Sequence, residues 1–143
     1  MATLESEASL FAGAVCVLSK VVAGILVTVV AVTEKSTSWM LFSFKDRDDA
    51  PVVPVKVTYR IDCKMTGEVI VEDTVLWDFE AIPNVDSHTP SNSVEIELLP
   101  EVNRIVDQNN DAESRTVTVT ATFFNGQQTT SVDYTVNGLR NLE

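Results

Sequence analysis

Histidine, thiol and clustered carboxylate groups occur in this chain at five places, and each type constrains a different chemistry. His88 is the single histidine and follows Asp86 by two residues in a stretch rich in Ser and Thr. Acid–base or nucleophilic catalysis needs a nucleophile, a base and an orienting group converging on one point. No nucleophile accompanies His88, which reads as a solvated loop side chain. Cys16 and Cys63 are the two thiols. Together with one His they fall short of the clustered three or four ligands that a zinc site needs. A disulfide between them is open at this level, and two buried thiols suited to a reducing compartment is the simpler expectation.

The carboxylates offer two clusters. Asp46, Asp48 and Asp49 crowd one turn beside Arg47, while Asp107, Asn109, Asp111 and Glu113 recur at every second position. The second set begins like a calcium loop, in which oxygen ligands alternate along the chain. It departs from that pattern at Ala112, the sixth place, where Gly makes the sharp turn, and at Thr118, the twelfth, where a bidentate Glu closes the shell. Solvation and Asx-type turns account for the same residues. The five glycines, at 13, 24, 67, 126 and 138, form no phosphate-cradling loop. The chain therefore reads as non-enzymatic, with no cofactor and no metal site.

The elements that would position any site are strands. Residues 37–44 are apolar on both phases, as a central strand is, and 45–51 form a charged turn. Val55, Val57, Tyr59, Ile61 and Cys63 share one strand face, with Lys56, Thr58, Arg60 and Asp62 on the other. After the Met65-Thr-Gly67 turn, Val69, Val71, Asp73, Val75 and Trp77 continue on one phase. The polar stretch 83–93 is a loop, Val94, Ile96 and Leu98 alternate with Glu95 and Glu97, and Glu101 to Val106 suit one helical turn. Val117, Val119, Ala121 and Phe123 alternate with four threonines. Asn125-Gly126, a strong hairpin signal because a type I′ turn needs positive φ, then leads to Val132, Tyr134 and Val136. Trp39, Phe42, Phe44, Tyr59, Trp77, Phe123 and Tyr134 fall on apolar phases and read as core, whereas Phe11 and Phe79 suit contacts. Counted with Leu26–Thr33, dense in β-branched residues, this makes about seven short antiparallel strands, an all-β immunoglobulin-like β-sandwich.

A chain of 143 residues suits one domain, and 45% apolar against 22% charged residues is a globular composition. Glu5, Glu7 and Glu34 balance Lys20, Lys35 and Lys45, so the net charge of -11 resides wholly in residues 46–143. A surface of that sign repels phosphate backbones, which argues against nucleic acid as a partner. Residues 10–33, by contrast, hold one charge, Lys20. The acidic start MATLESE is unlike a signal peptide. A membrane helix over 9–32 has sufficient length, but Lys20 near its middle costs about 2.5–3.5 kcal/mol on insertion scales, which disfavours a membrane partner. The expected division is an apolar N-terminal arm, 1–25, preceding a sandwich, 26–143. So apolar an arm must fold back or dock on another chain, which makes Leu10, Phe11, Val15, Val17, Leu18, Val21 and Val22 the candidate partner-binding residues.

The stretches 32–46 and 57–62, with Arg115-Thr-Val-Thr-Val-Thr-Ala-Thr-Phe-Phe-Asn-Gly126, resemble the small immunoglobulin-like proteins of tailed-bacteriophage virions. The likeness spans roughly residues 26–138 and is one of texture: sandwich strands, Thr-rich outer faces, an acidic surface. It implies a structural, oligomeric role in the virion, as a head decoration, neck or tail component, with capsid, neck or tail proteins and copies of itself as partners. The apolar arm departs from a free-standing decoration domain. Two other expectations follow from the residues: a membrane-anchored adhesion or envelope domain with 9–32 as a helix, and a carbohydrate-binding sandwich using loops 45–53, 80–92 and 125–128.

Overall fold

The computed structural model describes residues 13–22, 25–28, 31–45, 50–79, 91–123 and 126–139, with side chains from residue 31 onward. Nine strands occupy most of them: β1 (Gly13–Val22), β2 (Ile25–Thr28), β3 (Ala31–Thr33), β4 (Ser38–Lys45), β5 (Lys56–Cys63), β6 (Val69–Asp78), β7 (Ser93–Leu98), β8 (Ala112–Phe123) and β9 (Gly126–Asn137). One sheet runs β2-β1-β4-β7 and the other β3-β9-β8-β5-β6. Every neighbouring pair is antiparallel except β3 with β9, which is parallel. No α-helix occurs among the described residues. The protein is an all-β sandwich.

Strand periodicity sets the core. On β4, Ser38, Met40, Phe42 and Phe44 are buried, and Trp39, Leu41, Ser43 and Lys45 lie on the opposite phase. On β7, Val94, Ile96 and Leu98 turn in while Glu95 and Glu97 are exposed. The second sheet answers with Val57, Ile61, Trp77, Val117, Val119, Ala121, Phe123, Tyr134 and Val136. Phe44 of one sheet meets Trp77 of the other edge to face, with ring centroids 6.3 Å apart and planes at 87°, a favoured arrangement for aromatic quadrupoles. The buried Trp77 indole N–H is satisfied by the Pro54 carbonyl at 2.9 Å.

The N-terminal region differs from the arm expected over 1–25. Residues 13–22 are a strand with β2 on one side and β4 on the other, in register from Gly13↔Lys45 to Lys20↔Ser38 and from Ser19↔Thr28 to Val22↔Ile25. A boundary at residue 25 therefore falls inside the β1–β2 hairpin. The physical reason is that backbone N–H and C=O groups must be paired when apolar chain leaves water, and a sheet ladder pairs them. Leu26–Thr33 is not one strand either: β2 belongs to the four-stranded sheet and β3 to the five-stranded one. Residues 1–12 lie outside the described residues.

Two smaller differences concern register. β6 does not keep one phase, because Val57 opposes Trp77 while Thr58 opposes Val75, so Leu76 is an extra residue on that strand. Such a bulge swaps the faces of the residues before it. The β8–β9 hairpin closes at Phe123↔Gly126, leaving 124–125 as the connection rather than Asn125-Gly126. Positive φ among the described residues is confined to Lys35 and Gly67.

Candidate functional site

One end of the sandwich carries the turns 34–37, 64–68, 99–111 and 138–139, and buried polar side chains hold three of them, 34–37, 99–111 and 138–139. Glu113 and Arg115 lie on the inward phase of β8, continuing Val117, Val119 and Ala121, and both are fully buried. Arg115 Nη1 donates to Glu113 Oε1 at 2.9 Å and to Cys63 Sγ at 3.3 Å, and Nη2 donates to the Arg104 carbonyl. Arg115 Nε has no hydrogen-bond partner among the described residues. Glu113 also accepts from the Val106 N–H at 2.8 Å, the Asp107 N–H at 2.9 Å and Asn110 Nδ2 at 2.9 Å. Burial disfavours its charged form, but the bonds from Asn110, the Asp107 and Val106 N–H groups and Arg115 outweigh it and lower the pKa to about 2.

Asn103, also fully buried, is the second node. Its Nδ2 donates to the Ser36 carbonyl and to Ser38 Oγ, both at 3.0 Å, and its Oδ1 accepts from the Tyr134 hydroxyl at 3.0 Å. Burial raises the Tyr134 pKa, with nearby Arg115 partly opposing. The turn below it is closed by the Val102 and Asn103 N–H groups, which both donate to the Leu99 carbonyl. Glu34 Oε1 accepts from the Leu139 N–H at 2.8 Å, and the Gly138 N–H donates to the Asp111 carbonyl at 2.7 Å. A Cβ on Gly138 would stand 2.9 Å from that carbonyl oxygen, so the close approach requires glycine.

These groups are occupied in holding loops. Glu113, the last member of the alternating acidic set, is turned inward, and Asp107 Oδ1 accepts from the Asn109 N–H at 3.0 Å in an Asx turn. No group of three or more His, Cys, Asp or Glu able to hold a metal occurs among the described residues. Cys63 is a buried free thiol on β5, and Cys16 lies on β1 in register with Phe42. His88 and the Asp46, Asp48 and Asp49 cluster lie outside the described residues.

A concave feature of the described surface lies elsewhere, beside the two edge strands β6 and β7. A groove of about 490 Å³ is lined by Trp39, Tyr59, Leu76, Glu95, Ile96 and Glu97. Leu76 and Ile96 are buried, Trp39 and Tyr59 half-buried, and both glutamates exposed. Trp39 stands opposite Glu97 in register, and Leu41, itself 38% exposed, opposite Glu95. Burial raises the Tyr59 pKa. Reading all aromatic strand residues as core thus misses Trp39, whereas Tyr59 packs against the core and also lines the groove. The signal for Trp39 was in the sequence, since it occupies the phase opposite to Met40, Phe42 and Phe44.

Of the expected partner-binding residues, Val15, Val17, Leu18, Val21 and Val22 lie on β1, and Leu10 and Phe11 lie outside the described residues. Val15, Val17 and Leu18 stand opposite Ser43, Leu41 and Met40, and Val21 and Val22 opposite Leu26 and Ile25. Within 9–32, the described residues 13–22, 25–28 and 31–32 are strand, and no helix among the described residues is long and apolar enough to cross a membrane. Phe79 is 58% exposed. No family model matches the chain, and no curated protein matches it.

Proposed function

We propose that the protein is a non-enzymatic structural component of a virion, a head decoration or a head–tail or tail component, that binds capsid, neck or tail proteins or further copies of itself through the N-terminal part of its four-stranded sheet. The observation that carries this reading is the placement of β1. Its sequence, GAVCVLSKVV, is apolar on both strand phases, yet it occupies an interior position of a sheet that has one core face. A strand that is apolar on both phases suits a sheet covered on both sides. The outward phase of the adjacent β4, with Trp39 and the exposed Leu41, extends the same apolar face. Another subunit would supply the second cover.

An immunoglobulin-like type is part of the proposal. Read as strands B, C, C′, E, F and G, β4 to β9 give the GFCC′ order in one sheet and the B–E pair in the other. The Thr-rich outer face fits the same texture. Thr118 and Ser131 hydroxyls lie 3.3 Å apart, as do those of Thr120 and Thr129, and Thr116 donates to Asp133 at 2.9 Å.

The test is sedimentation of particles from the source that encodes the chain, probed with an antibody to the purified protein. Co-sedimentation, and its loss in the Leu41→Arg variant with unchanged thermal unfolding, is expected. Protein confined to the particle-free fractions would overturn the reading. Removing residues 2–25 is a poorer test, because it takes out an interior strand of the sheet.

A further inference from the structure

We propose that the open edge of β9 binds the β9 edge of a second copy of the chain, antiparallel across a two-fold axis, joining two five-stranded sheets into one. This surface is separate from the face of the four-stranded sheet on which the virion reading rests.

β8 and β9 stay in register without a break from Ala112↔Asn137 to Phe123↔Gly126, whereas β3 covers β9 only at Thr135, Val136 and Asn137. Residues 126–134 thus form an edge of the five-stranded sheet among the described residues. Three hydrogen bonds fix which backbone groups face outward. The Asn137 carbonyl accepts from the Glu34 N–H on the β3 side, and the Ser114 and Thr122 carbonyls, opposite Thr135 and Gln127, accept from the Lys64 and Val55 N–H groups on the β5 side. Alternation along an antiparallel ladder then turns the N–H and C=O groups of Gln127, Thr129, Ser131 and Asp133 away from β8. None of these groups has a backbone partner among the described residues.

Such an edge is a template for another strand, and proteins usually blunt it with charges, bulges or shortness. The other edges are blunted here: β6 shifts register three times against β5 and exposes Glu72 and Asp73, β7 exposes Glu95 and Glu97, and β2 has four residues. From 126 to 134, β9 has no bulge, no proline and one charge, Asp133. Strand addition is the mode of binding that such an edge offers.

The residues of the edge select a second copy as the occupant. Pairing centred on Thr130 sets Gln127 against Asp133 and Thr129 against Ser131 of the second copy, so no two like charges meet. Both members of each pair turn their backbone groups outward, so each pair exchanges two hydrogen bonds across the interface. Thr118 with Ser131 and Thr120 with Thr129 already form a hydroxyl ladder, each pair 3.3 Å apart. The Thr129 to Ser131 contact carries this ladder into the second copy. Gln127 offers its amide N–H to a carboxylate that Lys64 and Thr116 hold in place, each at 2.9 Å. The contact is isologous, so it consumes the same edge on both copies and closes at a dimer.

Sedimentation velocity of the full chain from micromolar to millimolar concentration, with amide hydrogen exchange at both ends of the range, tests this. A reversible dimer is expected, with the amides of Gln127, Thr129, Ser131 and Asp133 exchanging fast in dilute solution and protected in concentrated solution. Thr129→Pro removes an outward N–H at a position where an edge strand tolerates proline, and should weaken the dimer by about tenfold or more. Gln127→Asp, which sets a carboxylate against Asp133 of the second copy, should weaken it by about threefold to tenfold, and Gln127→Lys should tighten it by a similar factor. Thermal unfolding of the dilute Gln127 variants should match the parent, so they remain readable if the proline variant does not fold. Leu41→Arg, on the other sheet, should leave the dimer unchanged. A monomer at every concentration, which would leave the edge to a foreign strand or to none, would overturn the proposal. So would a dimer that Leu41→Arg dissolves and the Gln127 substitutions leave unchanged, or a dimer in which those four amides stay unprotected.

Discussion

Glu113 and the pair Glu95/Glu97 are the same side chain in opposite circumstances. Glu113 is fully buried and receives hydrogen bonds from two backbone N–H groups, Asn110 and Arg115, whereas Glu95 and Glu97 are exposed on an edge strand beside an apolar groove. A carboxylate that is desolvated and saturated with donors is a structural strut, because its charge is committed inside the fold. One exposed at the rim of a concave surface carries its charge outside the packed interior. The protein separates the two in space: one lies at the loop end, the other at the groove beside β6 and β7.

The largest expected effect breaks the locked end. Arg115→Met leaves Glu113 buried without its cation and should cost about 3–5 kcal/mol in urea unfolding. The E113M/R115M double variant should recover only part of that, since the Val106 and Asp107 N–H groups lose their acceptor. Full recovery would show that the ion pair, and not the loop contacts, is the important element. By contrast Glu97→Gln should change stability by less than about 0.5 kcal/mol, and a large loss there would remove the distinction between the two regions.

Acid should discriminate in the same way. The Glu113 pKa is lowered from 4.5 to about 2 in the folded protein, so its contribution is present above about pH 4.5 and disappears as the pH falls toward 2. The loss amounts to about 3 kcal/mol. Unfolding measured across that window in the parent and in Glu113→Gln should show the slope in the parent and much less of it in the variant.

Gly138→Ala sets a Cβ against the Asp111 carbonyl oxygen, 2.9 Å away between backbones that must shift, and should cost about 1–3 kcal/mol. The smallest effect is a gain. Lys35 holds φ at 63° in the turn closed by the Ser36 N–H to the Thr33 carbonyl. Lys35→Gly should relieve that conformation and stabilise by up to about 1 kcal/mol, read as a raised unfolding midpoint.

Much of this architecture is legible from alternation. The strands β4, β5, β7, β8 and β9 appear where period-two patterning puts them, because each buries one face and side chains alternate strictly along a strand. The same parity places Glu113 and Arg115 with Val117 and Val119, yet its residue type suggests a solvated Glu113. Residue type suggests exposure, while the phase of the strand decides it, and a full set of donors makes the burial tolerable. β6 shows the converse failure: an unbroken alternation over 69–77 is interrupted by the extra residue at Leu76, which nothing local announces.

The sequence by itself determined that the chain is built from strands, that the acidic surface belongs to residues 46–143, and that the N-terminal region is too apolar to stand in water. Tertiary structure alone decided that Gly13–Val22 lies between β2 and β4, that Ala31–Thr33 crosses to pair in parallel with β9, and that Trp39 and Tyr59 meet Glu95 and Glu97 at one groove. The physical reason is range. Hydrophobic alternation is set by neighbours two residues apart, whereas sheet order and groove composition depend on which distant strands satisfy one another's backbone groups and leave an edge uncovered.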